Sequence, residues 1–217
     1  MKKLALLLLI FSTYAFGHPY QIVIFRHAEK VLAEGHIGDL NAKLNAQGQQ
    51  RAAYLVDFLL QKKIINEQQH PISAIYVPRS FVKSPEGTYD YVRCTQTIIP
   101  LYHQADAFLK ETKNKLVYFN SDYPYIEAKS VLNDIMKHHF DGETVVICWE
   151  HTHIPHLFTG EFEKLKSSLP HLGEDIYDIV WVIRFENDQV TGLSFTQVPT
   201  NGFNYPAMED PHAPAAH

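Results

Sequence analysis

The chain of 217 residues holds only two cysteines, Cys94 and Cys148. Two are too few for a disulfide scaffold, and a core of this size does not need one. Whether they pair is open, because spacing along the chain does not fix the distance between their Cα atoms. A basic excess is also missing. The 19 Lys and Arg face 24 Asp and Glu, a net charge of −5 with histidine neutral. That argues against general nucleic-acid binding and leaves room for a local cationic pocket. Past residue 17 no apolar run approaches the ~20 residues of a membrane span. There is no internal repeat and no break that would divide the chain.

What is present is enough for a core. Hydrophobic residues make up 46%, so one domain of ordinary size is expected over residues 18–217, with an irregular tail from about 200 rich in Pro, Ala and His. The first seventeen residues read separately. Met1-Lys2-Lys3 is basic, Leu4 to Phe11 is almost wholly apolar, and Ala15-Phe16-Gly17 supplies small residues for cleavage before His18. This is the pattern of a secretory signal peptide over 1–17, which places the mature protein in the periplasm or outside the cell without a stable membrane anchor.

Within the domain, Tyr20 to Phe25 reads as a buried strand and 33–45 as a loop. Ala46 to Leu60 carries Ala52, Leu55 and Leu59 at helical spacing behind Asn45 as N-cap. Ile72 to Val77 is a second strand and Pro78 to Tyr91 a long loop. A helix is expected from Arg93 to Tyr102, ended or kinked by Pro100. A short strand over Leu116 to Phe119, a helix over Ile126 to His139, a buried strand over Thr144 to Trp149 and a partly helical Ile154 to Leu169 follow. Ile176 to Phe185 and Gly192 to Val198 read as strands joined by a turn at Glu186-Asn187-Asp188. Strands alternating with helices and closed by a hairpin predict an α/β sandwich of three layers, with a mostly parallel central sheet and a C-terminal hairpin.

In such sheets ligands sit beyond the carboxyl ends of the strands. Three segments gather there: Arg26-His27 after the first strand, Arg93-Cys94-Thr95-Gln96-Thr97 at a helix start, and Glu150-His151-Thr152-His153 after the Val145 strand. Two guanidiniums match the oxygens of a phosphoryl group, and a neutral imidazole can attack phosphorus.

These segments, with Leu44-Asn45-Ala46-Gln47-Gly48 running into Arg51-Ala52, resemble the histidine phosphatase superfamily, its phosphoglycerate mutase-like and acid phosphatase members included. Arg26-His27-Ala28 matches the family's Arg-His-Gly, Arg93 to Thr97 its Arg-x-x-Gln-Thr, and His151 its second histidine. The resemblance spans about Gln21 to Val198. It implies a phosphomonoesterase acting on a small phosphorylated substrate. His27 would carry a phosphohistidine, Arg26 and Arg93 would bind the phosphoryl oxygens, and His151 would complete the pocket, with no cofactor and no metal. Two departures stand out: Ala28 replaces the usual glycine, which narrows backbone freedom, and 78–91 looks inserted.

The proton donor stays open. Asp122 is the candidate, with Glu127 in the same stretch. Strand alternation turns Glu150 away from His151, and Glu29 orients the loop after the nucleophile. Two other functions remain alternatives: a phosphate-binding member of the same fold with weak or lost turnover, and a metal-dependent hydrolase using His151, His153 and His156. The natural substrate and the oligomeric state are not legible in the sequence.

Overall fold

The computed structural model describes residues 17–32, 40–85, 87–138, 140–170, 172–187 and 189–198. The signal-peptide reading, Gly17 apart, and the irregular tail lie outside those residues. The elements are β1 (Gln21–Arg26), α1 (Ala46–Gln61), β2 (Ile72–Tyr76), β3 (Phe81–Ser84), β4 (Gly87–Asp90), α2 (Arg93–Lys113) and β5 (Tyr118–Asn120), then α3 (Val131–Ile135), β6 (Thr144–Trp149), α4 (Ile154–Leu157), β7 (Ile179–Glu186) and β8 (Gln189–Gln197). Single 3₁₀ segments cover Tyr125–Ser130 and Gly160–Ser168.

Six strands form one sheet in the order β5-β2-β6-β1-β7-β8. β5, β2, β6 and β1 pair in parallel, and β7 and β8 add an antiparallel edge. Every residue of β1, β2 and β6 is buried, as parallel strands covered on both faces must be. Alternation divides their side chains between two cores. Val23, Phe25, Ile75, Val146 and Cys148 pack under α1 and α2. Ile22, Ile24, Tyr76, Val145, Ile147 and Trp149 pack against α3, α4 and the 3₁₀ segments. The result is the expected mixed α/β sandwich with a mostly parallel sheet and a terminal hairpin.

Three local expectations are corrected. The span 78–91 is not an irregular loop: β3 and β4 pair as a two-stranded ribbon, Phe81 with Asp90 through Ser84 with Gly87. Val82 and Tyr89, good strand formers, face each other across it. Pro100 does not stop α2, which runs on to Lys113. The stripe Cys94, Thr97, Ile98, Leu101, Ala105 and Leu109 is buried along its whole length, and this outweighs the roughly 3 kcal/mol of an interior proline. The helix expected over 126–139 is instead a 3₁₀ segment followed by the short α3; Glu127 leaves helical geometry inside it. At the terminal turn Asn187 takes a left-handed φ of 50°, a conformation asparagine tolerates.

The first strand and first helix are clamped together. Asn45 Oδ1 accepts from Gly48 N at 2.8 Å, and Asn45 N donates to the Glu29 carbonyl at 3.1 Å. Arg51 Nε reaches both carboxylate oxygens of Glu29 at 2.9 Å, away from solvent.

Candidate active site

β1, β6 and the start of α2 converge at one end of the sheet. His27 N donates to the Trp149 carbonyl at 3.2 Å, joining the first residue beyond β1 to the last of β6. The α2 motif holds the same loop from another side. Thr97 Oγ1 accepts from Ala28 N at 2.9 Å, and Gln96 Oε1 accepts from Leu44 N at 2.9 Å. Ala28 itself is fully buried against Leu44 and Ala52 and has no left-handed φ, so a glycine's extra freedom is not needed there.

A cavity of about 420 Å³ opens above this junction. Arg26, Lys30, Arg93, Tyr125, Glu150, His151, His153, Glu174, Asp175 and Tyr177 are among its walls. His27 lies beneath the floor, 1% exposed, and is not a wall residue. Its Nδ1 lies 2.8 Å from the Ala28 carbonyl, a partner that only accepts, so Nδ1 carries the proton. Nε2 is therefore the bare nitrogen, and it has no hydrogen-bond partner among the described residues. Burial and then the Arg93 charge push the ring well below the usual imidazole value. His27 is neutral, with one lone pair uncommitted.

The cations are held by the scaffold. Arg93 Nη2 donates to Tyr91 Oη at 3.0 Å, and its guanidinium lies 4.2 Å from the Tyr91 ring centre. Tyr91 in turn stacks on Tyr125. Arg26 Nη1 donates to the carbonyls of Gly173, Glu174 and Ile176, and its guanidinium covers the Tyr177 ring at 3.9 Å. The 173–177 loop thus straps over Arg26. Burial, then the charges of Arg93 and Arg26, lower the Lys30 ammonium from its ordinary value, with Glu150 and Glu174 acting the other way.

Glu150 departs from the sequence reading. It lies one residue past the end of β6, where strand alternation no longer applies. Its Oε1 sits 2.6 Å from His151 Nδ1. Its Oε2 contacts His153 Nδ1 at 2.8 Å and accepts from Thr152 Oγ1 at 2.5 Å. Burial opposes its charge, but these contacts hold the carboxyl well below its usual range.

Of the sequence candidates, Arg26, Arg93 and His151 share the cavity and His27 underlies it. Asp122 does not reach it: the side chain is exposed, and the residue is engaged through its backbone with Arg79 and Asn120. Glu127 is exposed as well, and Glu29 is taken by Arg51. Lys30, Glu150, His153, Glu174, Asp175 and Tyr177 went unassigned as pocket groups. The Glu-His-Thr-His string was the one signal that could have found two of them. Cys94 and Cys148 are buried free thiols in mutual contact, and burial, then Cys94, push the Cys148 thiol up.

No protein-family model and no curated protein matches the chain. Solved structures do. A candidate phosphohistidine phosphatase SixA from Agrobacterium tumefaciens superposes with a TM-score of 0.50 at 15% identity, covering 81% of this chain and 98% of that one. A second candidate SixA, from Nakamurella multipartitia, gives 0.48 at 13% identity over 82% and 94%. A phosphoglycerate mutase from Bacillus anthracis gives 0.48 at 14% identity over 84% and 93%. The chain shares the fold of the first of these structures, a mixed α/β arrangement of the phosphoglycerate mutase-like kind.

Proposed function

We propose that the chain is an exported phosphomonoester hydrolase working through a phosphohistidine on His27, with a small phosphorylated molecule as substrate. The observation that carries this reading is the state of His27: neutral, its Nδ1 proton given to a backbone carbonyl, its Nε2 bare, and within the field of two buried guanidiniums. Arg26 and Arg93 neutralise the phosphoryl oxygens, His151 donates to one of them, and Nε2 attacks phosphorus. Water then releases phosphate. No cofactor enters this chemistry. Export rests on the basic, apolar and small-residue order of residues 1–17. Among the described residues no helix is long and apolar enough to cross a membrane.

A second reading, a phosphate binder with little turnover, is favoured by one observation. His27 is sealed, and Arg26 already spends one nitrogen on three carbonyls of the strap. Hydrolysis of an aryl phosphate separates the two readings, because that leaving group needs little help. Turnover is expected, with an acid-labile phosphoryl label on the protein that His27→Ala abolishes. His151→Ala is expected to lower the rate by ~10²-fold or more, as removing an oxyanion donor does. Phosphate binding without hydrolysis would favour the binder; ordinary activity in His27→Ala would remove the nucleophile assignment.

A further inference from the structure

With Asp122 outside the cavity, the leaving group still needs a proton, and the walls offer few groups able to give one. Glu150 is excluded by its own environment, which holds it as an anion. It faces two imidazoles at once. His151 is the deeper, its side chain 13% exposed against 20% for His153. Both guanidiniums floor the cavity and the nucleophile lies beneath them, each no more than 2% exposed. The ester oxygen of a phosphoryl group seated there would point away from that floor, towards the more exposed wall, where His153 stands edge-on to Tyr125, ring centres 5.1 Å apart.

We propose that His153 is the proton donor to the leaving group and that Glu150 positions it; this rests on the phosphohistidine reading. Glu150 Oε2 holds Nδ1, with Thr152 Oγ1 2.9 Å from the same nitrogen. The exchangeable nitrogen is therefore Nε2, and the carboxylate behind the ring fixes its orientation. In the first step the His27 Nε2–P bond forms while the P–O ester bond breaks. The electron pair of the broken bond stays on the alcohol oxygen, which takes the proton from His153 Nε2 and leaves as the alcohol. In the second step water attacks phosphorus and gives its proton back to the neutral His153. The N–P bond breaks with its pair returning to His27, and phosphate departs. One turnover restores both rings.

The test separates this role from a structural one by changing the leaving group. His153→Asn keeps a nitrogen donor near Glu150 and removes Nε2. Values of kcat/KM for an alkyl phosphate and for p-nitrophenyl phosphate, whose phenolate departs unprotonated, report the steps up to the phosphoenzyme. The alkyl-to-aryl ratio is expected to fall by about 10²-fold or more, the usual worth of general acid catalysis. The dependence of rate on leaving-group basicity should steepen across a series of substituted aryl phosphates. An unchanged ratio in an active His153→Asn enzyme overturns the proposal. So does the same fall produced by amide replacement of Glu174 and Asp175 with His153 intact. A wild-type protein that forms no phosphoenzyme with either ester refutes the hydrolase reading instead, so the two failures are distinct.

Discussion

Replacing Gly48 with alanine sets two known magnitudes against each other, and the structure decides the sign. Gly48 is the third residue of α1, and alanine in a helix is favoured over glycine by about 1 kcal/mol. Propensity alone therefore calls Gly48→Ala stabilising. The space does not allow it. A Cβ at Gly48 would lie 2.1 Å from the Glu29 carbonyl oxygen and 2.9 Å from its carbon. Both are backbone atoms, so no side chain can swing aside, and either the helix or the loop after β1 must retreat by about 1 Å. That retreat pulls on the Asn45 N bond to the same carbonyl and on the Asn45 cap. Overpacking of this kind costs about 1–3 kcal/mol or more and a lost cap about 1 kcal/mol. The net expectation is destabilisation by about 1–3 kcal/mol, read as a lower urea midpoint at unchanged m-value. Because Glu29 is two residues from His27, kcat/KM on an aryl phosphate should fall as well, by up to about 10²-fold for a displacement of that size. A raised midpoint with full activity would refute the reasoning.

Two further perturbations have worked signs. Arg51→Met leaves the Glu29 carboxylate buried without its bidentate partner, and breaking a buried pair from one side costs about 3–5 kcal/mol; chemical denaturation checks this, and a loss under about 1 kcal/mol would mean water reaches Glu29. His27 is pushed below its unfolded value, so its neutral form contributes stability that is full above about pH 6.5 and is lost as pH falls towards the folded value. Unfolding free energies followed from pH 7 to pH 5 should fall less steeply in His27→Asn than in wild type, by up to about 1.4 kcal/mol per pH unit; parallel curves would show the ring is not held neutral.

Much of the site could be read from the sequence because its parts mark element ends. Arg26-His27 closes an apolar strand, Arg93 opens a helix, and His151 follows another apolar strand, so sheet topology alone brings them to one edge. Gln96 and Thr97 belong to the same recognisable string, and the structure gives each a backbone partner. What was missed falls into two kinds. Glu150 was misjudged because alternation was carried one residue beyond the last paired residue, Trp149. The 173–177 strap holds Arg26 through three carbonyl oxygens, and main-chain acceptors leave no trace in side-chain identity. The errors at 78–91 and Pro100 share a cause: local breakers were weighed without the burial that overrides them.

The strap also accounts for how the Arg26 charge is held at the floor of the cavity. Arg26 is buried, and desolvation lowers its pKa from the ordinary guanidinium value. Three carbonyls and the face of Tyr177 supply partial negative charge to it. These dipoles act together with the Glu150 carboxylate, which also favours the charged form of Arg26. Nη1 is occupied, while Nε has no hydrogen-bond partner among the described residues. The guanidinium is therefore fixed by one edge. Burial first, and the charges of Arg93 and Arg26 after it, hold His27 neutral, and on the proposed function the same two charges would favour a phosphoryl dianion. On the proposed function, a bound dianion would offset the repulsion among Arg26, Arg93 and Lys30. Two physical causes would then meet at one ring: burial keeps the His27 nitrogen bare, and the neighbouring guanidinium charges would both reinforce that state and draw the anion to it.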